Sequence, residues 1–113
     1  MNKRDLVYIK HIRDAIELIF EYTKDLDKES FNVKKMTQDA TIREIEIIGE
    51  ATKNVSKDFR DKYPDVHWKK ITGMRDKLIH GYFNVDVEKV WNVIAKDIPI
   101  LKKQIEDIIT KEN

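Results

Sequence analysis

Apolar residues at steps of three and four run through most of this chain, and no other feature constrains its fold as much. Leu6, Ile9, Ile12, Ile16, Ile19 and Phe20 place residues 4 to about 26 on an amphipathic helix whose opposite face is charged. Asp27 to Val33 is polar, with Ser30 a candidate N-cap. Met36, Ala40, Ile45, Ile48, Ala51 and Val55 mark a second helix of roughly 20 residues. Ile42 and Ile47 add a further apolar edge to it, more than one core requires. Residues 57–67, KDFRDKYPDVH, break the pattern, because Pro64 disfavours a helical Tyr63 and has no N–H to donate. Trp68, Ile71, Met74 and Leu78 give a third helix, expected to stop at Gly81 in the left-handed C′ conformation. Asn84 or Asp86 then caps a fourth helix through Val87, Val90, Trp91, Ile94, Ile98, Leu101, Ile105 and Ile108. Within it Pro99 crowds the carbonyl near Ala95 and predicts a kink or a brief interruption.

These elements predict an all-α fold, an up-down four-helix bundle with a short irregular crossover between the second and third helices, in one domain over residues 1–113. Three glycines, two prolines and 38% charged residues suit helices with heavily solvated faces. The absence of cysteine excludes disulfides and thiolate metal ligands. No apolar run approaches the ~18 residues of a membrane span, and Asn-Lys-Arg-Asp after Met1 lacks a signal-peptide core, so a cytoplasmic protein with no membrane contact is expected. Net charge is only +1, so any nucleic-acid contact must come from a local patch.

Such a patch lies in ITGMRDKLIHGYF, Ile71 to Phe83. From Lys69 to His80 four cations, Lys69, Lys70, Arg75 and Lys77, face one anion, Asp76, a balance of +3. Arg75 supplies a planar fork of donors suited to a phosphate, and the lysines are candidate RNA contacts on the same helix. Asp76 stands four residues before His80, so on a continuous helix its carboxylate reaches the imidazole and supports its charged form or fixes its orientation. A plainer account is open: a histidine in a last helical turn gains ~0.3–1 kcal/mol from the macrodipole, and capping alone explains His80. Tyr82 could likewise simply pack on the fourth helix.

A guanidinium, an imidazole and a phenol beside a basic helix suit a phosphodiester better than a sugar or peptide. Cleaving RNA through its 2′-hydroxyl takes one group to accept a proton and another to give one, and this helix end carries one histidine. A two-fold dimer would bring two histidines and two arginines to one cleft, and the surplus apolar edge is a surface that could make it.

MRDKLIHGYF resembles the Arg-x4-His-x-Tyr signature of the HepT-like toxins of the HEPN superfamily, with Arg75, His80 and Tyr82 at the signature positions. REIEIIGEATKNVS, Trp68 ahead of ITGMRD, and VDVEKVWNVIAKDIPIL look like the same group, so the likeness covers most of the chain. It implies an all-α homodimer and a metal-independent endoribonuclease, with no cofactor and with Arg75 and His80 catalytic at the dimer cleft. It further implies the toxin of a type II toxin–antitoxin system, silenced by a minimal nucleotidyltransferase antitoxin that transfers AMP to Tyr82, in a complex that could be a higher hetero-oligomer. The chain departs from the group in having His67 where proline often precedes the tryptophan, and Asp76 where asparagine often follows the arginine. The second change keeps a polar residue, with Asp76 in a supporting role that could alter how His80 titrates.

Elsewhere the residues read as structural. His11 has no second ligand at metal spacing, and helix entry explains His67. Trp68 and Trp91 stand at core spacing, and Glu50 is either a buried carboxylate near the motif or a surface charge. No glycine loop cradles a phosphate, so the chain is not expected to bind a nucleotide as an enzyme of its own. Two other functions compete with the ribonuclease: a non-catalytic helical subunit that docks a nucleotidyltransferase, and a bundle whose motif only caps. The intact Arg75, Asp76, His80 and Tyr82 set favours the ribonuclease, because docking needs no imidazole beside a guanidinium.

Overall fold

In a computed structural model, which describes residues 3–80 and 84–113 (without the side chains of Ile79, His80 and Asn84), the chain is predominantly helical. Helix α1, Lys3–Thr23, buries Ile9, Ile12, Ile16 and Ile19, the stripe expected of it. It ends short of residue 26 because Asp25 takes a left-handed conformation, φ 63°. Helix α3, Lys35–Asn54, packs along α1 through Ile45, Ile48 and Ala51. Ile42 is buried in the same core and Ile47 packs half-buried against it, so the apolar edge that had looked surplus is mostly used within the monomer. Thr23 and Thr52, both buried, donate their hydroxyls to the carbonyls of Ile19 and Ile48 one turn back and leave no bare polar group.

Two short helices occupy stretches expected to be irregular. Helix α2, Lys28–Asn32, starts at Asp27, whose carboxylate accepts from the Ser30 N–H while the Ser30 hydroxyl accepts from the Asp27 N–H. Asp27, not Ser30, is therefore the N-cap. Helix α4, Lys57–Lys62, is capped by Ser56 and ends before Pro64. Ser56 is itself held by Asp5, a 3% exposed carboxylate that accepts from its N–H at 2.8 Å and its hydroxyl at 2.7 Å. Asp5→Ala removes both bonds and strands a partly buried donor, so the urea midpoint should fall by the equivalent of about 1–3 kcal/mol with an unchanged slope. An unmoved midpoint would show that this tie contributes nothing.

The third segment is two helices, α5 (Trp68–Thr72) and α6 (Met74–Leu78), separated at Gly73. Gly49 of α3 sets their position, since a Cβ there would already touch the Thr72 and Ile71 carbonyls at 3.6 and 3.7 Å. A side chain larger than alanine would push α5 off α3. Helix α6 ends at Leu78, before the expected stop at Gly81, which lies outside the described residues. Ile79–His80 (β1) pairs antiparallel with Asn84–Val85 (β2), Ile79 opposite Val85 and His80 opposite Asn84. The Asp86 N–H then donates to the Leu78 carbonyl at 2.9 Å, satisfying a group that a glycine cap would otherwise have served.

Asp86 caps α7, Val87–Asn92, as expected of one of two candidates. The chain continues through a π-helical turn, Val93–Asp97, into α8, Ile98–Glu112. In that turn the Ile98 N–H reaches back five residues to the Val93 carbonyl, so the irregularity predicted from Pro99 is a π-bulge inside a continuing helix. At its far end Glu112 accepts from Lys62 at 2.7 Å and from the Tyr63 hydroxyl, tying α8 to the crossover. Burial first, then the Glu112 bond and charge, push the Tyr63 phenol up to about 12. Lys62 and then Tyr63 hold Glu112 below the usual glutamate value. A lowered folded value means this tie contributes above the usual carboxylate range and is lost as pH falls through the lowered value. Among the described residues no helix is long and apolar enough to cross a membrane.

Candidate functional site

Arg75 stands on the short helix α6 with its side chain 44% exposed. Its Nε lies 3.4 Å from Glu46 Oε2 on α3, and its Nη1 lies 3.6 Å from Asp76 Oδ1. Neither contact is a hydrogen bond, so the guanidinium is held by charge while its donors stay open to a ligand. Glu46 was not singled out in the sequence: a glutamate on the solvated face of a long helix resembles any surface charge until tertiary packing brings the arginine to it.

The expected Asp76–His80 pairing does not follow from the backbone. It assumed a helix through His80, whereas His80 belongs to β1, and the Asp76 carboxylate is exposed and turned to Arg75. The His80 side chain and the whole of Tyr82 lie outside the described residues.

Lys69 and Lys70 on α5 and Lys77 on α6 are exposed, and among the described residues none has a carboxylate within ion-pair distance. All three line one shallow, open hollow with His67 and Trp68 at the start of α5. Arg75 does not line that hollow: two residues before Lys77 on α6, it stands on another face of the helix, toward Glu46 of α3. The three lysines around the hollow form a local positive patch suited to a polyanion, in a chain of nearly neutral total charge.

The remaining candidates fall into place as packing. Trp68 is 7% exposed and its indole N–H donates to the carbonyls of Tyr63 and Arg60, while Trp91 leans on the Phe31 ring at 5.2 Å. His11 is exposed, with its ring edge-on to Tyr8. Glu50 is a surface charge, its carboxylate 3.3 Å from Lys53. His67 occupies the N-cap position of α5 but makes no side-chain cap bond, and its exposed imidazole lines the hollow with no hydrogen bond among the described residues.

The family model described as ribonuclease HepT-like matches residues 12–108. The chain belongs to that family. A Thermococcus cleftensis protein named "Probable ribonuclease HepT" is 48% identical over 101 residues, 89% of this chain and 92% of its own length. A Caldanaerobacter subterraneus protein named as a candidate RNase is 46% identical over 105 residues, 93% of this chain and 94% of its own. A Methanocaldococcus jannaschii protein named as a gamma-glutamylcyclotransferase and candidate RNase is 50% identical over 109 residues. This chain spans about half of that longer protein, 49%, and 96% of itself is matched. No solved structure matches. The matched region of the HepT-like family includes Glu46, α5, α6, β1 and β2, so both Arg75 and the lysine hollow lie within it.

Proposed function

We propose that this chain is a metal-independent endoribonuclease and the toxin of a cytoplasmic toxin–antitoxin pair. The observation that carries the reading is an exposed Arg75 guanidinium with open donors on α6, the helix that also carries Lys77 of the lysine hollow, in a member of a ribonuclease family. Arg75 takes the scissile phosphate and its developing charge, and His80 moves the proton. The 2′-oxygen attacks the neighbouring phosphorus as its proton passes to a base, and the P–O5′ bond breaks as the leaving oxygen takes a proton from an acid. The products are a 2′,3′-cyclic phosphate and a 5′-hydroxyl.

Acid and base are two groups, and the motif holds one histidine, so the reading includes a homodimer of HEPN-like four-helix bundles with both copies at one cleft. Exposed Val33 and Met36, at the α2–α3 corner, are apolar side chains that a partner could cover. Neutralisation is assigned to a nucleotidyltransferase antitoxin that adds AMP to Tyr82, where the new phosphate would compete for Arg75.

Binding of single-stranded RNA at increasing salt tests the cationic face. Three phosphate contacts contribute a slope of about 2 in log affinity against log salt, so replacing Lys69, Lys70 and Lys77 together with alanine should flatten the parent's dependence by about that amount. An unchanged slope would place the RNA elsewhere.

A further inference from the structure

On the α8 side of α5 and α6, opposite the π-turn, lies a cavity of about 230 Å³. Its floor is apolar, with Met74 and Leu78 of α6 facing Ile98 and Leu101 of α8. Its mouth is polar: His67, Lys70 and Lys77 line it and line the lysine hollow as well, so the two spaces share a rim. We propose that this cavity takes one unpaired nucleobase of the RNA while the flanking phosphates run along Lys69, Lys70 and Lys77. The inference rests on the ribonuclease reading and adds a determinant of sequence preference to it.

Size limits the occupant. Pockets for drug-sized ligands run to about 300–1,000 Å³, so the space suits a single planar ring system better than a folded or oligomeric ligand. Charge selects its class, because the shared rim of unpaired lysines favours a ligand that continues as a phosphate chain. His67, which makes no cap bond, offers an imidazole face for stacking, and Ile100 at the mouth is 62% exposed and would be covered by a bound base.

Asp97 narrows the choice of base. It lines the cavity from the last position of the π-turn, half-buried, and among the described residues no hydrogen bond or ion pair of its carboxylate is found. Opposite a phosphate chain a carboxylate repels, whereas against the edge of a base it accepts from N–H donors. Guanine presents an imino and an amino N–H side by side, which one carboxylate can accept together; adenine and cytosine offer an amino group alone, and uracil an imino N–H alone, flanked by carbonyls that a carboxylate repels. Gln104, whose amide nitrogen donates to the Asp65 carbonyl at 3.1 Å, is held at the same wall with its amide oxygen free for a second donor. The π-bulge, which ends just before Pro99, sets the register of this wall, in keeping with the frequent placement of such bulges at functional sites.

The test uses the full chain as the His80→Ala variant, so that RNA stays intact, and fluorescence anisotropy with short oligouridines carrying one central guanine, adenine, cytosine or uracil. The guanine oligomer should bind at least about 5-fold more tightly than all-uridine RNA. Adding Asp97→Asn should remove that preference while leaving affinity for all-uridine RNA and the thermal midpoint nearly unchanged. Equal affinity for the four, or a preference that survives Asp97→Asn, would overturn the base pocket while RNA binding itself left the ribonuclease reading standing. No binding of any oligomer would remove both. If Ile100→Arg instead lowers the mass in solution and leaves base preference intact, the cavity is a contact between copies of the chain and the proposal fails.

Discussion

RNA cleavage by the His80→Ala variant is expected to fall by about 10²–10⁴-fold, the usual contribution of a group that transfers a proton in the rate-limiting step. Arg75→Ala should cost about 10²–10³-fold, as loss of a preorganised donor to a developing oxyanion does. The two should differ in binding: the arginine variant should hold RNA more weakly, because an exposed guanidinium with open donors is lost, while the histidine variant should keep its affinity. Both should keep the helical circular dichroism of the parent, since Arg75 is outside the core and His80 follows the end of α6. Full cleavage by either variant would contradict the assignment. A purely capping histidine would lower the thermal midpoint and leave cleavage by the folded fraction intact.

The second large effect concerns Tyr82. With ATP and a cognate nucleotidyltransferase, its phenolic oxygen should attack the α-phosphorus, pyrophosphate should leave and the phenolic proton should pass to solvent. Each addition should raise the intact mass by about 329 Da, AMP replacing the hydroxyl hydrogen. The product should lose nearly all cleavage if, as proposed, the tethered phosphate competes with RNA phosphate for the Arg75 guanidinium. Tyr82→Phe should cleave RNA much as the parent does, gain no mass and escape silencing. A mutant that is still adenylylated and silenced would move the modification to another residue.

The three long helical stretches were legible because each turns an apolar stripe inward over many residues, as Ile9 to Ile19, Ile45 to Val55 and Val90 to Ile108 do. Helices α2 and α4 were not, since five or six residues are too few for a period to show, and their formation depends on caps. For α4 the cap is anchored by Asp5, which lies on a different element. The end of α6 was misplaced for a similar reason. Gly81 is a sound stop signal in isolation, but pairing of Ile79 with Val85 and capping of Leu78 by the Asp86 N–H end the helix earlier. Of the site, the local sequence displayed its cations and its motif. It did not display Glu46, or the cavity behind Met74, because both arise only when α3 and α8 pack against the motif helices.

The most direct measurement of the central claim is the chemistry of the RNA ends. Purified protein should be incubated with end-labelled single-stranded RNA in excess EDTA, beside the His80→Ala variant prepared identically. Cleavage by the parent alone is expected, with a 5′-hydroxyl on one fragment and, on the other, a 2′,3′-cyclic phosphate that resists phosphatase until acid opens it. Fragments ending in a 3′-hydroxyl, cleavage abolished by the chelator and restored by a divalent ion, or equal cutting by the variant would contradict a reaction run by Arg75 and His80.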